Sequence, residues 1–126
     1  MKKVIIFVFI LLLVSCTYNF KPTPEQYSSA DFGAYPSDYE NIVRAYFSRS
    51  LFDPYTAVYT FESPVKGRIG GGPSPFGWIA CGTLNAKNRM GGYVGANDYL
   101  VKIYNGVAYN GFRGSIAREI CDQLQK

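Results

Sequence analysis

Apolar and polar positions change period several times along the chain, and each change marks a predicted element. Val4 to Val14 is an unbroken run of eleven apolar residues. From Thr17 to about Pro36 no period holds, and Pro22, Pro24, Gly33 and Pro36 punctuate the backbone. A helical period starts near Ser37, with Tyr39, Ile42, Val43, Tyr46, Phe47 and Leu51 on one face. Ser37-Asp38-Tyr39-Glu40 has the S-x-x-E spacing of a capping box, in which the serine oxygen takes an orphan amide hydrogen while Glu40 reaches back. Asp53-Pro54 ends this helix, because proline disfavours the α region for the residue before it.

After Pro54 the period shortens to two. Tyr55, Ala57, Tyr59 and Phe61 alternate along a strand from Tyr55 to Glu62, rich in aromatic and β-branched residues. Pro64 to Pro75 carries Gly67, Gly70, Gly71 and Gly72 and reads as a loop. Further strands run from Gly77 to Asn85 and from Asp98 to Tyr104, joined by a glycine-rich connection over Ala86 to Asn97. Asn105-Gly106 is a hairpin turn, since both residues tolerate positive φ, and Val107 to Tyr109 pairs back as a short strand. Ser115 can cap a last helix whose Ile116, Ala117, Ile120, Cys121 and Leu124 form an apolar stripe. The class is α+β: a small antiparallel sheet of three to four strands flanked by an N-terminal and a C-terminal helix, in one domain over 37–126. Helices gathered on one face would be the economical cover.

The leading run explains the first residues. Lys2 and Lys3 precede it, and eleven apolar residues fall short of the roughly 20 that span a bilayer, so 1–15 reads as a signal peptide. Leu13-Val14-Ser15-Cys16 then resembles the lipobox of bacterial lipoproteins. That resemblance implies cleavage before Cys16, a diacylglycerol on its thiol and an acylated amino group, with 16–36 as a lipidated tether. The aromatics Tyr18, Phe20, Tyr27, Phe32 and Tyr35 are unusual for a solvated linker and point to some packing on the domain or on a partner. By the same resemblance Thr17 stands where an Asp favours inner-membrane retention in enteric lipoproteins, which implies the outer membrane, with the domain facing the periplasm. The membrane is thus a partner through the lipid anchor, and the fold needs no insertion surface of its own.

Composition then removes function classes. A chain of 126 residues with 48% apolar content has material for one core, and its lack of His removes Ser-His and Cys-His nucleophile pairs and imidazole zinc sites. The 13 basic residues less Lys2 and Lys3 leave 11 against 9 acidic ones, scattered rather than striped, so no nucleic-acid partner is expected. The segment Gly67 to Gly72 lacks the G-K-[ST] of a phosphate loop. Neither a cofactor nor a metal site is expected. Once Cys16 is lipidated, Cys81 and Cys121 remain in an oxidising compartment, where a disulfide or two separate buried thiols are the alternatives.

Asn85-Ala86-Lys87-Asn88-Arg89-Met90-Gly91-Gly92-Tyr93-Val94-Gly95 is the most distinctive mature segment. It resembles an N-A-K-N-x-x-G-G-Y-x-G segment recurring in small exported proteins of Gram-negative bacteria, a likeness that runs from about Ile42 through Val107 and includes Leu51-Phe52-Asp53-Pro54. The resemblance implies a shared domain and supplies no catalytic residues. Asn85, Lys87, Asn88, Arg89 and Tyr93 are candidate binding residues: a polar, cationic rim with an aromatic surface, set against the plainer reading that Asn and Gly simply build a demanding turn. The expected function is a non-enzymatic, outer-membrane-anchored lipoprotein that binds or supports another envelope component, protein or glycan. A glycan- or peptidoglycan-binding module is the alternative. A carboxylate-dependent hydrolase using Glu62 with Asp53 or Asp98 is a further one.

Overall fold

The structure, a computed structural model, describes residues 18–126; the leader and Cys16 lie outside the described residues. In chain order the elements are α1 (Pro24–Ser29), α2 (Tyr39–Ser48), a 3₁₀ turn (Pro54–Thr56), β1 (Val58–Phe61), β2 (Val65–Arg68), β3 (Phe76–Asn85), β4 (Asn97–Tyr104), β5 (Val107–Arg113) and α3 (Ser115–Gln125). The class is α+β, with helices at both ends of an antiparallel sheet of five strands. Strand order is β1-β3-β4-β5, and β2 also pairs with β3. β1 and β2 share one edge of β3, Val58 to Phe61 facing Asn85 to Gly82 and Val65 to Arg68 facing Ile79 to Phe76. β2 is the strand hidden inside the stretch read as a loop from Pro64 to Pro75. The turn between β4 and β5 is the expected one, with φ of 46° at Asn105 and 78° at Gly106.

Alternation along β3 and β4 places apolar side chains on both faces, so the sheet has two cores. Ile79, Cys81, Leu100 and Ile69 pack with Ala117, Ile120, Cys121 and Leu124 of α3. Ala80, Leu84, Tyr99, Val101 and Ile103 pack with Val43 and Phe47 of α2. The two helices therefore cover opposite faces, not one, because the residues of β3 and β4 are buried in near-continuous runs rather than in alternation. Ile116 lies outside the α3 stripe and is half exposed.

The segment expected as a tether is part of this cover over its described length. The Phe32 ring is buried and meets Phe76 edge-on at 5.4 Å. Trp78 Nε1 donates to the Gly33 carbonyl at 3.1 Å, and Tyr35 packs edge-on against that indole. The Tyr104 hydroxyl donates to Asp31 at 2.6 Å, which holds the Asp31 carboxyl below its ordinary pKa and raises that of the phenol. These contacts shield the Phe76 end of the α2-side face, which the short α2 does not cover.

Two local starts differ from expectation. Asp38 rather than Ser37 stands at the α2 N-cap, without a side-chain cap bond. The reciprocal capping box forms instead at Thr23 and Gln26 before α1. α2 stops at Ser48, short of Asp53, where Ser48 and Ser50 hydroxyls donate back to the Ala45 and Phe47 carbonyls and compete with further helix. Gly114 (φ 87°), not Ser115, precedes α3, its amide donating to the Asp98 backbone carbonyl at 2.8 Å.

Two close approaches fix the strands. Tyr99 pairs with Gly82, and its buried phenol crosses that glycine to donate to the Thr60 carbonyl at 2.9 Å. A Cβ on Gly82 would sit 2.5 Å from the phenol oxygen. Burial pushes the Tyr99 pKa far up, so the hydroxyl stays a donor. Gly111 likewise admits Tyr46, whose hydroxyl oxygen accepts from the Gly111 amide at 2.8 Å.

The one buried charged side chain of the described residues is Lys102, with no exposed surface. Its Nζ donates to the carbonyls of Ile69 at 2.8 Å and Ser74 at 2.5 Å, and also to Gly71. Burial pulls its pKa below the ordinary lysine value of 10.5, while three carbonyls match the three hydrogens of the ammonium form. The glycine-rich loop after β2 thus wraps a cation, which gives its glycines a structural use. Lys102→Met removes the donor from all three carbonyls and is expected to cost about 3 kcal/mol. Urea unfolding measures it, and a change below about 0.5 kcal/mol, the range of ordinary surface substitutions, would show that water replaces the ammonium at little cost.

Cys81 and Cys121 lie at disulfide distance, their sulfurs 2.12 Å apart and 40 residues separated in sequence, linking the centre of β3 to α3. A loop of that length contributes about 4 kcal/mol by restricting the unfolded chain. Reduction of the purified protein should lower its unfolding free energy by about that amount, and an unchanged urea midpoint under reductant would count against the bond.

Candidate functional site

At the Asn85 end of β3 the chain leaves the sheet in the connection that carries the distinctive segment. The structure separates its candidate residues into two groups. Asn85 accepts from the Gly95 amide at 3.1 Å, and Asn88 accepts from the Met90 and Gly92 amides at 3.0 and 3.2 Å. Both asparagines are occupied in building the turn, as are Gly91 (φ 81°) and Gly95 (φ 98°). Lys87 and Tyr93 face each other across an isolated antiparallel bridge, the ammonium 5.3 Å from the ring centre. The Tyr93 hydroxyl donates to the Thr56 carbonyl at 2.9 Å, tying the loop to the 3₁₀ turn. Arg89 and Met90 are exposed at the tip.

That tie joins the loop to a second surface, which sequence reasoning missed. An open cavity of about 440 Å³ is lined by Arg44, Ala45, Ser48, Pro54, Tyr55 and Tyr59. The Tyr59 and Phe61 rings stack at 5.5 Å, and the Arg44 guanidinium lies over them, 4.9 and 5.0 Å from their centres. Burial raises the Tyr59 pKa, with Arg44 and Arg113 opposing. Tyr55, beside Thr56, is 98% exposed, an unusual state for an aromatic in a folded domain. Thr56 Oγ1 is buried without a hydrogen-bond partner among the described residues. Phe52, Val58, Met90 and Val94 add exposed apolar surface within the 3₁₀-turn region, the start of β1 and the loop. A guanidinium over stacked rings, an open tyrosine and the Lys87–Tyr93 pair can stack on a flat group and meet an anion or hydroxyls. In sequence, Arg44 reads as an ordinary solvent-face residue of α2, and only the tertiary packing of β1 places two rings beneath it.

The acidic candidates separate as well. Glu62 and Asp98 line one pocket with Arg118, Cys121 and Gln125, whereas Asp53 precedes the 3₁₀ turn. Asp98 is paired with Arg118 at 2.9 Å, and Glu62 accepts from Gln125 at 2.5 Å. The pocket holds about 60 Å³, far below the several hundred Å³ of an ordinary substrate cleft. Among the described residues no group of acids, Cys or His is arranged to hold a metal ion, and no helix is long and apolar enough to cross a membrane.

No protein-family model matches the chain, and neither a curated protein nor a solved structure shows significant similarity to it. Tyr93→Phe deletes the bond to Thr56, worth about 1 kcal/mol, so amide exchange over Lys87–Gly95 should quicken about fivefold while β3 and β4 keep their rates. Equal exchange in both proteins would show that the loop is held by its own turn alone.

Proposed function

We propose that the protein is a non-enzymatic lipoprotein, anchored through Cys16 to the periplasmic leaflet of the outer membrane, whose domain binds another envelope component. The single observation that supports the binding role is the face that joins Arg44 over the Tyr59–Phe61 stack, the fully open Tyr55 and the Lys87–Tyr93 pair through the Tyr93–Thr56 bond. Arginine and tyrosine in this exposed arrangement are the residue types that dominate binding energy at interfaces. The anchor is supported by the order of basic residues, short apolar run and Leu13-Val14-Ser15-Cys16.

A glycan as the bound component has specific support, because a stacked platform beside cationic groups suits a sugar face carrying hydroxyls or carboxylates. The hydrolase reading has less, since Glu62 and Asp98 border a small pocket and are each paired already, and Asp53 lies apart from them. Crosslinked envelopes from cells carrying the intact protein are the test. The wild type should enrich a defined component, and Arg44→Ala with Tyr55→Ala should reduce that enrichment about 30-fold, about 1 kcal/mol for each side chain. Equal enrichment by both proteins would remove this face from consideration. Co-sedimentation with purified sacculi distinguishes a glycan from a protein.

A further inference from the structure

The inference rests on the acylation proposed for Cys16. Only Thr17 separates Cys16 from Tyr18, so the chain between the lipid and the described domain reaches at most about 7 Å. A free tether to residue 36 would instead wander over about 25 Å. From Tyr18 onward the chain is held. The Arg68 amide donates to the Phe20 carbonyl at 2.8 Å, and the Phe20 ring packs on the α3-side core. Tyr18 lies 4.7 Å from Phe20 and 5.9 Å from the Arg68 guanidinium, yet remains 53% exposed.

We infer that this end of the sheet sits directly on the bilayer, with Tyr18 at the level of the headgroups and Lys21 and Arg68 against lipid phosphates. Three observations favour a lipid surface as the occupant. The attachment point is within one side-chain length of the patch. Tyrosine, with an apolar ring and a polar tip, suits the membrane–water interface. Among the described residues the ion pair found is Asp98–Arg118, so neither Lys21 nor Arg68 is tied to a carboxylate and both are available to anionic headgroups.

The sheet then fixes where the recognition face points. Arg68 pairs with Phe76, the first residue of β3, and Val58 pairs with Asn85, the last. The strand is ten residues long, so its ends lie about 30 Å apart. The seated end and the Tyr55–Tyr93 end are thus opposite ends of one strand. The bound component is met away from the leaflet that holds the lipid, which suits a periplasmic protein or the cell-wall layer rather than a neighbour's lipids.

The test uses the full-length protein, expressed with its leader, purified from membranes and reconstituted in phosphatidylethanolamine–phosphatidylglycerol vesicles. Intact mass first reports acylation of Cys16. Amine labelling by a membrane-impermeant reagent is then compared at Lys21 and Lys87 in the wild type, in Arg68→Glu and in a form with a 20-residue Gly-Ser insertion after Thr17, a flexible spacer of about 25 Å. Lys21 of the wild type should label about tenfold more slowly than in either altered form, while Lys87 labels alike in all three. An acylated, vesicle-bound protein whose Lys21 labels equally in all three overturns the seating and leaves the anchor standing. A mature protein without acyl mass overturns the anchor, and the seating with it.

Discussion

The constraint from which most of this structure follows is that β3 and β4 are buried on both faces. Ile79 and Cys81 point to one side of β3 and Ala80 and Leu84 to the other, and all are at most 4% exposed. A sheet of that kind must be covered twice. α3 covers one face, and the Cys81–Cys121 sulfurs meet across that contact. α2 is ten residues long and covers only part of the other, where Val43 and Phe47 meet Ala80, Leu84 and Tyr99. The remainder, around Phe76 and Trp78, is closed by Phe32, Gly33 and Tyr35. The N-terminal aromatics therefore belong to the domain for the same reason that the two helices lie on opposite sides.

Lys102 shows how the fold handles the cost of that arrangement. It stands opposite Ile79 on β4, at a position where an apolar residue would continue the α3-side core. A lone ammonium there would be strongly unfavourable. The chain answers with backbone rather than with a carboxylate: the turn from Ile69 to Ser74 directs three carbonyls at Nζ. The Asn110 side chain donates to the Gly70 carbonyl of the same turn. A glycine-rich stretch that suggests mobility in isolation is thereby ordered by one buried charge.

The parts legible in the sequence were those with a local cause. The Asn105-Gly106 turn, the α3 stripe and the β3 and β4 strands each follow from residues a few positions apart. β2 was not legible, because Val65-Lys66-Gly67-Arg68 is a four-residue stretch with a glycine inside it, among further glycines and prolines, and it becomes a strand by pairing with the start of β3. Ser37 matched a capping pattern that the backbone does not use, and Thr23-x-x-Gln26, equally well formed, was obscured by the prolines on either side. At the candidate site, the segment from Asn85 to Tyr93 drew attention by composition, and its asparagines proved to serve the turn. Arg44, Tyr55 and Tyr59 come from three different elements and share no sequence signal, so only the sheet could bring them together.

The separation of the two ends of β3 changes what a lipid anchor would do for this domain. On a free linker a binding face samples all orientations, and much of that sampling turns it toward the bilayer. Under the proposed anchoring, a domain whose first described residues are bonded to β2 would have few orientations relative to its attachment point, and the proposed binding face would be held at a nearly fixed height and direction. Pre-organisation of that kind lowers the entropic cost of meeting a partner that is itself fixed in the envelope. The high aromatic content of residues 18–35 has the same structural cause, since Phe20, Phe32 and Tyr35 are the contacts that pack this segment on the domain.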